Sequence, residues 1–222
     1  VDHDSARRRG NTGFGGHRHT AHVSRRARDF ANRLRLRKRA VRSLTGKIGV
    51  YVLGDLDNVP LYVGQSAKEG IRKRVQRHLT SARSDVIANR QIDVWEVAFV
   101  WEYPVATAAD MNTLEAALFH HFNPQGRLMN GTIPPQPPAG FIIPDPAKIV
   151  RVMSDDEIAE KKDLELRLPR QAKHYADIVG HFLAVKNSNE VARAMDAHFE
   201  RLSKYHAVLL GLGSGEEGGE ET

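Results

Sequence analysis

Six residues in this chain, taken in order, are of types that could together cut a phosphodiester: Tyr51, Tyr62, Arg74, His78, Glu115 and Asn130. A phenol can donate to a phosphate oxygen or help to deprotonate a water, and an imidazole can take a proton near neutral pH. The guanidinium fork of Arg74 matches phosphate oxygens and the charge that develops on them as the bond breaks. A single carboxylate such as Glu115 is enough to help hold Mg²⁺, which needs few protein ligands, and one ion can polarise the phosphate and stabilise the leaving oxygen. Taken singly, each residue is ordinary: a strand tyrosine, a basic helix face, a helical glutamate, a turn asparagine. The ordered set carries the reading.

The spacing of apolar residues says which elements must hold these groups. Residues 47–53 are strand-like, 54–58 (Gly-Asp-Leu-Asp-Asn) have turn chemistry, and 59–63 form a returning strand. This predicts a hairpin with Tyr51 and Tyr62 on adjoining antiparallel strands. Residues 69–83 read as a helix with Ile71, Val75, His78 and Leu79 on one face. Arg74 and His78, four apart, share a side of it. The alternation over 91–100 predicts a third strand, and 107–122 a second helix carrying Glu115. Asn130 falls in the loop beyond. Residues 132–146 hold six prolines and read as a linker or wrapping arm. Ser154 and Glu157 form a capping-box signature for a helix to about Leu168, where Pro169 is expected to stop it. Residues 171–185 and 190–210 read as two further amphipathic helices.

Gly49-Val50-Tyr51, then Tyr62-Val63-Gly64, Arg74, His78, Glu115 and Asn130 resemble the GIY-YIG nuclease family in order and separation, over roughly residues 47–131. The resemblance implies an α+β fold: a small three-stranded antiparallel sheet flanked by helices. It implies that Tyr51 serves as general base or its positioner, with His78 supporting it. It also implies that Tyr62 binds the scissile phosphate, that Arg74 stabilises its charge, that Glu115 is the sole protein ligand of Mg²⁺ or Mn²⁺, and that Asn130 braces the site. Val50 and Val63 stand where isoleucine names the motif. Many members carry a lysine after the second glycine; here it is Gln65, with Lys68 nearby.

Charge suggests how a polyanion would be met. Residues 1–48 hold 14 lysines and arginines against 3 acidic residues, a balance of +11, while the remainder holds 19 against 24, a balance of −5. Residues 1–24 lack periodicity and are expected to be disordered; 24–43 read as a basic helix. The candidate DNA contacts are Arg33, Arg35, Arg37, Lys38 and Arg39 on that helix, and Lys68, Arg72, Lys73 and Arg77 around the second. Cysteine is absent, which excludes disulfides and thiolate metal sites, and no apolar run is long enough to span a membrane. A cytoplasmic location is expected. His17, His19 and His22 read as part of a flexible stretch, His120 and His121 as one packed and one exposed ring, and His174 and His181 as structural.

The organisation expected is a basic arm (1–46), a nuclease core (47–131), a proline-rich linker (132–150), a helical extension (151–212) and an acidic tail (213–222). The function expected is a metal-dependent endonuclease on double-stranded DNA, of the restriction type, acting as a homodimer. The alternatives are a mobile-element, homing or repair nuclease and, in another class, a non-catalytic DNA-binding protein on a nuclease scaffold.

Overall fold

The computed structural model describes residues 16–80 and 88–212. Its sheet is antiparallel, ordered β2-β1-β3-β4, with β1 Gly49–Gly54, β2 Pro60–Ser66, β3 Phe99–Pro104 and β4 Lys148–Arg151. Around it lie α1 Gly16–Arg42, α2 Gly70–Thr80, α3 Ala108–Phe122, α4 Asp155–Lys162, α5 Leu164–Ala184 and α6 Asn189–Leu209. The fold is thus α+β, with helical segments before and after the sheet.

β1 is central and wholly buried, so both of its faces are apolar. Its alternation sorts two cores. Tyr51 and Leu53 pack with Val41 and Leu44 of the α1 end and with Ile71, Val75 and Leu79 of α2. Val50 and Val52 pack on the opposite side with Val63 and with Met111, Leu114 and Leu118 of α3. The hairpin turn is built by Asp55, whose carboxylate accepts the backbone N–H of Asp57 (2.8 Å) and Val59 (2.9 Å), while Asn58 takes a left-handed φ of 59°. β1 and β3 keep one register throughout, and β1 and β2 keep theirs from Gly49 to Leu53 before a shift at Leu53/Gly54 beside the turn, so burial fixes the faces that carry the tyrosines.

Four expectations need correction. The third strand is not 91–100 but Phe99–Pro104. Residues 91–98 are a buried irregular segment in which Asp93 caps a turn through Trp95 N–H (2.9 Å), and their alternation reflects packing rather than pairing. A fourth strand, β4, arises at the end of the proline-rich stretch and pairs with β3, making the sheet four-stranded. Helix α1 begins at Gly16, so only residues 1–15 of the predicted disordered stretch, together with the acidic tail 213–222, lie outside the described residues. Pro169 does not end a helix: α4 stops at Lys162, and α5 runs through Pro169. Arg167 and Arg170 on either side of the proline are drawn into buried ion pairs, which hold the helix despite the missing N–H. The predicted cap at Ser154 is present, accepting from Glu157 N–H at 3.2 Å.

α5 and α6 pair with each other and reach the core through one ionic network. Arg167 donates to Glu96 and Asp57 (2.7 Å each) and to the Tyr205 hydroxyl (2.7 Å). Arg201 donates to Asp55 (2.9 Å) and the Pro60 carbonyl (2.9 Å), and Gln171 to Asp93 (3.0 Å).

Candidate active site

The hairpin register places Leu53 opposite Tyr62 and Tyr51 opposite Gly64. Both phenols therefore emerge on the face covered by α2. Their ring centroids are 6.3 Å apart, and each lies about equally far from the His78 ring, at 5.7 Å for Tyr51 and 6.2 Å for Tyr62. Helix α2 delivers His78 because Gly70 lets the backbone turn with a φ of 77° against Gly46. The N–H groups of Ile71 and Arg72 then donate to the carbonyls of Lys47 and Thr45 (3.0 Å each), fixing where the helix starts.

The Tyr51 hydroxyl lies 2.6 Å from Nε2 of His78, and both residues are buried. Burial, with the neighbouring Tyr62, holds the Tyr51 phenol well above its usual range, although Arg74, which hydrogen-bonds the same hydroxyl, pulls the other way. Burial first, and then Arg74 and Arg77, push the His78 imidazole down to about 3. A protonated phenol beside a neutral imidazole means that Tyr51 donates and Nε2 accepts. Arg74, Tyr51 and His78 are thus joined through one hydroxyl oxygen.

Gly64 makes room for this cluster. A Cβ there would sit 2.5 Å from the Tyr51 hydroxyl and 2.6 Å from the Tyr62 ring.

Glu115 stands on α3, whose first turn is capped by Thr107 accepting from Asp110 N–H. Burial lifts its carboxyl to about 7, and its charge is felt at Tyr51. A carboxylate this poorly solvated is a good partner for a hard divalent cation. No group of three metal-ligating side chains exists among the described residues. A lone carboxylate can hold a divalent ion that takes its other ligands from water and substrate oxygens.

Asn130 is engaged with backbone. Its amide oxygen accepts Val63 N–H (3.0 Å) and its Nδ2 donates to the Val63 carbonyl (2.7 Å), both buried. It grips the strand that carries Tyr62, with its amide oxygen and amide nitrogen both engaged there.

The candidate DNA contacts divide. Arg37 is not available to a phosphate: it is 2% exposed, donates to the carbonyls of Val94 (3.0 Å) and Val97 (3.3 Å), and lies 4.9 Å over the Trp95 ring. Arg33 pairs with Glu160 and Arg77 with Glu69, each at 2.5 Å, and the Arg72 Nε donates to the Leu44 carbonyl (2.6 Å). Arg35, Lys38 and Arg39 on α1, and Lys68 and Lys73 around the start of α2, are exposed. α1 packs against α2.

Residues 47–130 match the family model of the GIY-YIG catalytic domain. The chain carries a GIY-YIG catalytic domain, which indicates a nuclease. No curated protein and no solved structure matches the chain.

Within this GIY-YIG core, His120 is packed edge-on to Phe119 with Nε2 at 2.9 Å from the Pro134 carbonyl, while His121 is exposed. His174 lies against the Arg90 carbonyl and stacks near His198, outside the tyrosine cluster. The side chains of His17, His19 and His22 lie outside the described residues. The buried cations Arg167 and Arg201 escaped the sequence reading. Their signal was present: Arg201 falls in the apolar stripe of α6, three residues after buried His198 and four after Ala197, and a cation in such a stripe needs buried partners.

Proposed function

We propose that the protein is a metal-dependent endonuclease that hydrolyses both strands of duplex DNA at defined sites, as a restriction-type enzyme. The observation that carries this reading is the 2.6 Å Tyr51–His78 pair, with Arg74 on the same hydroxyl and a desolvated Glu115 nearby.

In this reading a water attacks the phosphorus atom and gives its proton to the Tyr51 oxygen as the phenol passes its own to Nε2 of His78; the bond from phosphorus to the leaving oxygen breaks, and that oxygen takes a proton from solvent. Because burial holds the phenol up and the imidazole down, neither group is charged at rest, and the proton moves only when substrate oxygens bring negative charge beside them. Tyr62, half-buried at the rim, donates to the scissile phosphate. Arg74 meets the charge that grows on its oxygens, a contribution typically worth 10²–10³ in rate. A Mg²⁺ or Mn²⁺ ion held by Glu115 supplies charge stabilisation for the phosphate and the leaving oxygen. Asn130 acts through Val63, as a brace for Tyr62.

Duplex DNA would lie across the exposed cations Arg35, Lys38, Arg39, Lys68 and Lys73, met by the strongly basic arm. One tyrosine cluster per chain supports a homodimer for cutting two strands. No helix among the described residues is long and apolar enough to cross a membrane, which is in keeping with work on DNA in the cytoplasm.

The test is incubation of supercoiled plasmid with the full-length protein, in Mg²⁺ or EDTA, beside Glu115→Gln. Discrete fragments that need Mg²⁺ and vanish in the variant are expected. Cleavage that persists in EDTA, or in the variant, would remove the metal role of Glu115; a smear would remove the site-specific reading.

A further inference from the structure

The helical extension lies beyond the matched segment, yet one of its side chains reaches the loop that completes the site. The Nε of Arg193, on α6, donates to the Asn130 carbonyl (2.9 Å), and its Nη2 donates to Oδ1 of Asn123 (2.7 Å). Asn123 is the C-terminal cap of α3, the helix of Glu115, and its Oδ1 also accepts Leu128 N–H (3.2 Å). The guanidinium lies 5.4 Å over the ring of Phe119 in the last turn of that helix. A single planar fork therefore ties the end of the carboxylate helix to residue 130.

The segment it holds grips β2 on both sides of Tyr62. Met129 N–H donates to the Leu61 carbonyl (2.8 Å), and the Asn130 amide takes both backbone groups of Val63. Leu61 and Val63 are the two neighbours of Tyr62. Eight residues along the same helix, Arg201 secures the start of that strand through the Pro60 carbonyl. A cation that the catalytic segment does not contain thus touches both the end of the Glu115 helix and the loop that grips the Tyr62 strand.

We propose that Arg193 is a positioning residue for the nuclease reaction, setting Tyr62 against Glu115 through Asn130; this rests on the nuclease reading above. The hydrogen bonds it makes go to neutral carbonyl oxygens at the end of α3 and at residue 130, adding to the Leu128 N–H that Asn123 already accepts, and an arginine can serve both where a lysine can serve one. Displacement of a reacting group by about 1 Å can cost roughly 100-fold in rate, so a loosened link between these segments is felt in turnover before it is felt in DNA affinity.

The experiment uses the full-length protein and supercoiled plasmid under single-turnover conditions with Mg²⁺. It compares wild type, Arg193→Ala, Arg193→Lys, Asn130→Ala and the Arg193→Ala/Asn130→Ala double variant, with duplex affinity in EDTA and melting temperature measured beside each. Arg193→Ala should lose roughly 10- to 100-fold in rate with little change in affinity or melting temperature. Lysine should recover part of the rate, and millimolar guanidinium should restore part of it to the alanine variant alone. The double variant should be no slower than the slower single one, since both act along one path. Full activity in Arg193→Ala would overturn the inference while leaving the nuclease reading intact. Additive losses, or a loss that follows a lowered melting temperature and resists guanidinium, would overturn it too by reducing Arg193 to a structural contact. Absence of cleavage by the wild type would fell the nuclease reading and this inference with it.

Discussion

Replacing Glu115 by glutamine should make the metal-free protein more stable while abolishing cleavage. Burial lifts this carboxyl from 4.5 to about 7. At 1.36 kcal/mol per pH unit, holding it ionised in the fold costs about 3 kcal/mol. Solvent still reaches part of the side chain and screens the effect, so about 1–2 kcal/mol is expected. The sign follows from the raised value. Below about pH 4.5 the group is protonated in both states and nothing is lost. Between 4.5 and 7 the unfolded chain releases its proton while the folded one keeps it, so stability falls, and it levels off above 7. Glutamine has no such loss. In EDTA, the difference in stability between Glu115→Gln and wild type should therefore grow from pH 5 to pH 7 and stay constant to pH 8.5. For a chain of this size that is roughly 2–8 °C in melting temperature. Mg²⁺ should then raise the melting temperature of wild type and not that of the variant, because only wild type has the ligand. Parallel pH profiles for the two proteins would refute the claim that Glu115 is a desolvated carboxylate awaiting a cation.

Three other substitutions separate the roles of neighbouring residues. Gly64→Ala places a methyl 2.5 Å from the Tyr51 hydroxyl and against the Tyr62 ring, so single-turnover cleavage should fall by about 100-fold or more; near-normal rates would mean that the two phenols need not stand as they do. Arg37→Met orphans the Val94 and Val97 carbonyls and should cost about 2–4 kcal/mol in urea unfolding, with no change in the salt dependence of DNA binding. Lys38→Ala/Arg39→Ala should do the reverse, leaving unfolding unchanged and reducing the slope of log affinity against log salt by about 2; an unaltered slope would take DNA away from this face of α1.

The contrast between Arg37 and Lys38 marks where sequence reasoning runs out. Local pattern made the hairpin, α2, α3 and the Ser154 cap legible, because each rests on residues close in sequence: the Asp55–Asn58 turn, the 71/75/79 stripe, a serine three before a glutamate. The order and types of the six site residues were legible for the same reason. What escaped is what distant partners decide. Residues 91–98 alternate like a strand, but Asp93 and Glu96 are claimed by Gln171, Arg167 and Arg170 across more than 70 residues, and the backbone yields to that. β4 is four residues long and pairs only because β3 offers an edge. A run of arginines on one helix carries no label saying which is buried, and Arg37 goes inside because two loop carbonyls and an indole are there to receive it. The resemblance named Asn130 as a brace, but the residues alone did not say what it grips: the backbone of Val63.

The chain beyond the basic arm keeps its acidic balance in the fold, since ion pairing leaves a sum of charges unchanged, but the fold decides where those charges lie. Asp55, Asp57, Asp93 and Glu96 meet Arg167, Arg170, Arg201 and Lys162 in one network. Four carboxylates are thus balanced by four cations, largely out of the solvent. Interactions among charges already paired at short range contribute little field at a distance, while the exposed cations of α1 and α2 are screened only by salt. The same network forces the extension and the core to fold together: removing one member of a buried pair leaves a charge uncompensated, at about 3–5 kcal/mol. An extension attached this firmly can transmit position, which a tethered module could not. It offers α6 as a rigid rail from which Arg201 reaches the start of β2 and Arg193 reaches the loop of Asn130. The network that pairs these charges thereby also fixes the helix that frames the tyrosines.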